Sequence, residues 1–185
     1  MSHLSTVLVV DAPASTVFDI VADPTRSPEW QSLLAEMGEI AGRPGGVGSS
    51  YIGYYRVADR RLAGHFVVTA AERPTLHEVN GTTTGGWARW TTIIEPRGPQ
   101  CELRVSLEYE LPGEIVGSLF GMLTGNRLEQ EFRRSYERLK KIAESGAPFE
   151  TGAQFEPTPI DRDVGTDDTR GHAAREVLVV RTVAG

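Results

Sequence analysis

Ten residues of strict alternation run into about thirty residues of helical pattern, and that junction limits the fold more than any other part of the chain. From Cys101 to Glu110, the apolar Leu103, Val105, Leu107 and Tyr109 alternate with Arg104, Ser106, Glu108 and Glu110, as in an antiparallel strand buried on one face. Leu111-Pro112-Gly113 ends it, and the stretch to Lys140 predicts a helix about 45 Å long at 1.5 Å of rise per residue. A helix of that length, placed last behind a series of strands, needs a broad curved sheet to lie against. Such a grip leaves a cavity between helix and sheet, so the chain reads first as a holder of something apolar.

The chain has 185 residues, 39% of them hydrophobic, which suits one domain with a single sizeable core and an appended segment. A formal charge of -6 argues against nucleic acid as a partner, because neutralising phosphates needs a surplus of Lys and Arg. The lone Cys101 cannot form an internal disulfide, and Met1 to Asp11 lacks a basic region followed by a long apolar run, so a cytoplasmic location is expected. No window approaches the ~20 apolar residues that cross a bilayer, which leaves transient surface contact as the membrane role open to it.

Composition changes near Gly146, after which Gly, Pro, Asp and Thr dominate. Residues 146–185 carry seven acids against four arginines. That content cannot offset the entropy of ordering, so 1–145 is expected to be the folded domain and 146–185 a mostly disordered acidic tail. Its end, Glu176 to Val183, has the composition of a terminal strand that could engage a protein partner.

Within the domain, His3 to Val10 predicts an opening strand and Pro13 the start of a helix that gathers Val17, Phe18, Ile20 and Val21. A second short helix is expected from Ser27 and Pro28 to Gly38, with Trp30, Leu33, Leu34 and Met37 at helical spacing. Strands are expected at Ser49–Val57, Arg61–Ala70, Leu76–Thr82, Ala88–Glu95 and Cys101–Glu110. Pro96-Arg97-Gly98-Pro99 joins the last two as a hairpin. The order of one strand, two short helices, a run of antiparallel strands and one long helix is an α+β pattern.

Val17-Phe18-Asp19-Ile20-Val21-Ala22-Asp23, Pro28-Glu29-Trp30, Gly86-Trp87-Ala88-Arg89-Trp90 and the closing Leu139-Lys140-Lys141 resemble the polyketide cyclase/dehydrase and coenzyme Q-binding branch of the START-related helix-grip superfamily (SRPBCC). The resemblance covers about residues 3 to 145. It implies a curved antiparallel sheet wrapped around a long C-terminal helix, with a hydrophobic cavity between them. It does not imply one reaction, since such a scaffold hosts carriers, aromatase/cyclases, receptors and partner-binding modules.

Strand parity predicts which side chains face that cavity: Tyr51 and Tyr55, then Leu62, Phe66 and Val68, then Trp90, Thr92 and Ile94, then Val105, Leu107 and Tyr109. Aromatic walls with a polar end suit planar or quinone-like ligands. Trp30 and Leu33 would close one end from the second short helix. Glu78, sharing parity with Leu76 and Asn80, is expected inward, and with Tyr109 it is a candidate for proton transfer. His65 and Arg89 fall on the outward parity. At the start of the long helix, Gly113, Gly117, Gly121 and Gly125 recur every fourth residue among Ile115, Leu119, Phe120 and Leu123, which suggests a mobile apolar lid.

Other motifs carry no chemistry. Gly42 to Gly48 lacks the Gly-Lys-Ser/Thr ending of a phosphate loop, and Asp161-Arg162-Asp163-Val164-Gly165 places its glycine one position early for calcium. His3, His65, His77 and His172 have no metal spacing, so neither metal nor cofactor is expected. The preferred reading is a binder of a quinone, lipid or polyketide-like molecule. Its alternatives are a cyclase or dehydratase working by proximity, and a protein-interaction module without a small ligand.

Overall fold

The computed structural model describes residues 1–57, 60–83, 86–110 and 127–146. The first part of the predicted long helix, with the lid residues Ile115, Leu119, Phe120 and Leu123, lies outside the described residues. So does the tail from residue 147 on, with its predicted strand 176–183.

Seven strands form one antiparallel curved sheet: β1 (Ser2–Val10), β2 (Leu34–Ala41), β3 (Ser50–Val57), β4 (Arg60–Glu72), β5 (Leu76–Thr83), β6 (Gly86–Arg97) and β7 (Gln100–Glu110). Their spatial order is β1-β7-β6-β5-β4-β3-β2. After β1 the chain lays down α1 (Ala14–Ala22), a 3-10 turn (Pro24–Arg26) and α2 (Ser27–Trp30), and α3 (Arg127–Ser145) is the last element among the described residues. This is the helix-grip fold.

Local chemistry sets these boundaries. The Pro13 carbonyl accepts from Thr16 N at 2.9 Å and opens α1, which buries Val17, Phe18, Ile20 and Val21. Asp23 Oδ1 accepts from Thr25 N at 2.9 Å and Thr25 Oγ1 at 2.6 Å, fixing the turn that leads into α2. Outside the sheet, Arg73 donates to both carboxylate oxygens of Asp19, at 2.9 and 2.8 Å, tying α1 to the β4–β5 turn. Gly146, with φ +58°, follows α3 in the left-handed conformation that commonly terminates a helix.

The second short helix differs from expectation. It is a single turn, Ser27–Trp30, and Leu34 onward is strand β2, paired with β3. A bulge explains the false periodicity. Leu34 pairs with Tyr55 and Glu36 with Tyr54, so Ala35 is the extra residue, and Leu34 and Met37 return to the same face three positions apart. That spacing imitates a helical turn.

α3 buries Phe132, Ser135, Tyr136, Leu139 and Ala143 along one stripe, and Leu139 is fully enclosed. With Val10, Val17, Ile20, Ile94, Cys101, Leu103 and Val105 they make the larger core, over the β1, β7 and β6 part of the sheet. Polar contacts hold the helix at its middle and near its C-terminal end. Ser135 Oγ accepts from Ser32 N at 3.1 Å, which fixes the α2–β2 connection onto α3. Lys140 Nζ donates to Val9 O at 2.6 Å, and Glu144 Oε1 accepts from Asp11 N at 2.9 Å. A second, smaller cluster of Phe66, Val68 and Val79 sits over β4 and β5.

Leu139→Ala should destabilise the protein by about 2 to 5 kcal/mol, the range for emptying an enclosed leucine site. Chemical denaturation measures it, and a loss below about 1 kcal/mol would contradict the central place given to this stripe.

Candidate functional site

Between the two clusters lies a cavity of about 40 Å³, room for a few water molecules. Its sheet wall is aromatic. Phe66 stacks on Tyr51 with centroids 5.3 Å apart and 20° between planes, and meets Tyr55 at 5.8 Å and Trp90 at 5.6 Å. The opposite wall comes from Val21 of α1, Trp30 of α2 and Tyr136 of α3, the last two rings 5.2 Å apart.

Phe66 lies flat because three neighbouring strands offer no side chain beneath it. A Cβ added at Gly53 or Gly64 would stand 2.9 Å from the ring, and one at Gly81 closer still. Gly53 pairs with Gly64, and Phe66 with Gly81, so the glycines form a continuous floor across β3, β4 and β5. Here glycine is required by close approach rather than by backbone conformation.

Six of the side chains expected to face a ligand, namely Trp30, Tyr51, Tyr55, Phe66, Trp90 and Thr92, line this cavity. The structure places the others elsewhere. Ile94, Val105 and Leu107 are enclosed in the larger core and Val68 in the smaller cluster, Tyr109 packs half-buried against the larger core, and Leu33 is half-buried in the α2–β2 connection. The Leu62 side chain lies outside those described.

Glu78 faces the opposite side of the sheet from that expected, where its carboxylate accepts from Thr69 Oγ1 at 2.7 Å and Thr91 Oγ1 at 3.4 Å. His65 and Arg89 are exposed, in keeping with their parity. The residues of β5 that turn inward are His77, Val79 and Gly81, paired with Thr92, Trp90 and Ala88. His77 and Val79 line the cavity, as do Met37 beyond the bulge and Tyr136 on α3. None of these four was among the predicted site residues.

Burial sets the protonation states of the cavity's titratable side chains. Burial pushes the phenols of Tyr51, Tyr55 and Tyr136 far above the usual range, and their mutual proximity raises those of Tyr55 and Tyr136 further, so all three stay protonated. Burial lowers the His77 imidazole from 6.5 to about 4, which keeps it neutral near pH 7. Its ring meets Phe18 edge-on at 6.0 Å. Four buried polar side-chain atoms among the described residues have no hydrogen-bond partner, and two of them, Trp30 Nε1 and His77 Nε2, belong to cavity-lining residues. No group of three or more His, Cys, Asp or Glu among the described residues is arranged to hold a metal ion.

The family model described as polyketide cyclase/dehydrase and lipid transport matches residues 1–144. Solved structures share the fold at low identity. A protein of Thermus thermophilus is 13% identical with a TM-score of 0.62, covering 80% of this chain and 100% of its own. A START superfamily protein from Mycobacterium smegmatis is 20% identical with a TM-score of 0.59, covering 77% of this chain and 97% of its own. Norcoclaurine synthase from Thalictrum flavum, in complex with dopamine and hydroxybenzaldehyde, is 17% identical with a TM-score of 0.55, covering 80% of this chain and 89% of its own. No curated protein matches the sequence.

Two outcomes test this geometry. Gly81→Ala should destabilise the fold by about 1 to 3 kcal/mol through overpacking against Phe66. Adding Phe66→Leu should recover part of that loss, read as a coupling in a double-mutant cycle of denaturation free energies; strictly additive losses would refute the floor.

His77 predicts a pH dependence. Its folded pKa lies below the unfolded value of 6.5, so its full stabilising contribution is present above pH 6.5 and is lost as pH falls toward 4. Stability should fall by on the order of 2 kcal/mol between pH 6.5 and pH 5. In His77→Gln that part of the slope should vanish, and an unchanged slope would place the titrating group elsewhere.

Proposed function

The chain belongs to the polyketide cyclase/dehydrase and lipid transport family, and from that premise we propose that it binds a hydrophobic, ring-bearing small molecule between the sheet and α3. The observation that supports this most is the wall of Tyr51, Phe66 and Trp90 facing Trp30 and Tyr136 across a void at the boundary of two core clusters. Rings stack on such walls at little cost in orientation, and the uncharged polar groups among them, such as those of Ser27, Gln31 and Thr92, suit fixing rather than transforming a ligand. As closed, the void is smaller than the roughly 300 Å³ of a typical ligand site, so an occupant enters as these side chains yield.

Binding without turnover is the preferred reading. Glu78 lies on the far face of the sheet and Tyr109 packs against the larger core, so neither candidate for proton transfer lines the void. A cyclase or dehydratase would have to rely on His77 within the cavity. With a pKa of about 4, that imidazole is a weak base near neutrality.

Purification from the native host under nondenaturing conditions, followed by mass spectrometry, should yield a stoichiometric apolar ring compound. Adding that compound back should raise the thermal midpoint. Val79→Phe, which places a larger side chain in the void, should weaken its binding at least tenfold. Recovery of an empty protein whose midpoint no ring compound shifts would defeat the proposal.

A further inference from the structure

Among the polar groups of the residues that line the void, two buried ring nitrogens have no partner. Trp30 is 3% exposed and His77 4%, and neither Trp30 Nε1 nor His77 Nε2 has a hydrogen-bond partner among the described residues. Both residues line the same cavity, one from α2 and the other from β5. Burying such groups unpaired is costly, and native proteins keep few of them without a reason.

We propose that this pair is the polar anchor of the cavity and that the ligand is an uncharged molecule presenting one hydroxyl or carbonyl oxygen to it. The proposal rests on the cavity being a ligand site, as argued above. Trp30 Nε1 can only donate. His77 Nε2 accepts when the ring proton is on Nδ1 and donates when it is on Nε2. A hydroxyl accepts from Trp30 and donates to His77 in the first tautomer, and a carbonyl accepts from both in the second. Oxygen therefore satisfies either state, whereas a hydrocarbon satisfies neither.

The rest of the lining sets the charge. Val21, Ser27, Gln31, Met37, Val79 and Thr92 complete the walls, and none of the described lining residues is Lys, Arg, Asp or Glu. A carboxylate or phosphate would lose its hydration there with no cation to replace it. Free fatty acids and phosphorylated lipids are thereby disfavoured as occupants of this void, and an uncharged phenol, ketone or quinone is favoured.

Three ring probes of one size separate these chemistries: p-cresol, toluene and p-toluate, titrated into the full-length protein at pH 7 with tryptophan fluorescence and proton NMR as readouts. p-Cresol should bind at least fivefold more tightly than either of the others. It should also move the Trp30 indole N–H resonance downfield, where toluene does not, the signal being assigned from its loss in Trp30→Phe. Trp30→Phe and His77→Leu should each cut the p-cresol to toluene ratio at least threefold. If a variant fails to fold, the wild-type ratio and indole shift decide alone.

A wild-type ratio of p-cresol to toluene below fivefold, or an unmoved indole signal, overturns the anchor while leaving the hydrophobic cavity standing. p-Toluate binding as tightly as p-cresol overturns the uncharged class. Failure of all three probes to bind removes the cavity reading and this inference with it.

Discussion

A single helix cannot cover seven strands. At about 4.8 Å between neighbours the sheet is roughly 29 Å across, while a helix with its side chains is about 10 to 12 Å in diameter. Among the described residues α3 packs on β1, α1 and α2, α1 on β5, β6 and β7, and α2 on the edge strand β2, so the described helices meet β3 and β4 least. Over those strands the described cover comes from the sheet's own side chains. Phe66 lies down on Gly53, Gly64 and Gly81, and Tyr51, Tyr55 and Trp90 close around it. The void marks where the cover provided by helices gives way to the cover provided by rings.

The strands were legible because their patterning has period two and one face is buried. β7 is the clearest case, with Leu103, Val105 and Leu107 all turned to the core. β5 was not legible by the same rule. Its only large apolar residues, Leu76 and Val79, fall on opposite parities, so alternation alone could not choose a face. Choosing with Leu76 turned Glu78 inward and hid His77. Pairing resolves the choice, because Thr92 and Trp90 stand opposite His77 and Val79. The register of the β5–β6 hairpin was the missing information.

The bulge at Ala35 misled for a related reason. Inserting one residue converts a two-residue spacing into three, which sequence alone cannot distinguish from a helical turn. The floor under Phe66 was hidden for a different one. Its three glycines lie in separate strands, and only the pairing of Gly53 with Gly64 and of Gly81 with Phe66 brings them together.

Charge is sorted between the two faces of the sheet, and this confines the chemistry available inside. On the outer face Glu102 binds Arg97 at 2.5 Å and Arg104 at 2.6 Å, and Glu78 is held by two threonines. The inner face offers indole, imidazole, phenol and hydroxyl groups, all neutral near pH 7. Specificity there must come from shape and single hydrogen bonds. The α2–β2 segment is the part of the wall least held by strand pairing. It supplies Trp30, Gln31 and Met37 from one helical turn, a bulge and an edge strand paired only with β3, with Ser32 anchored to Ser135. β4 and β5, by contrast, are paired on both sides and bound to the glycine floor, so their part of the wall is the more constrained.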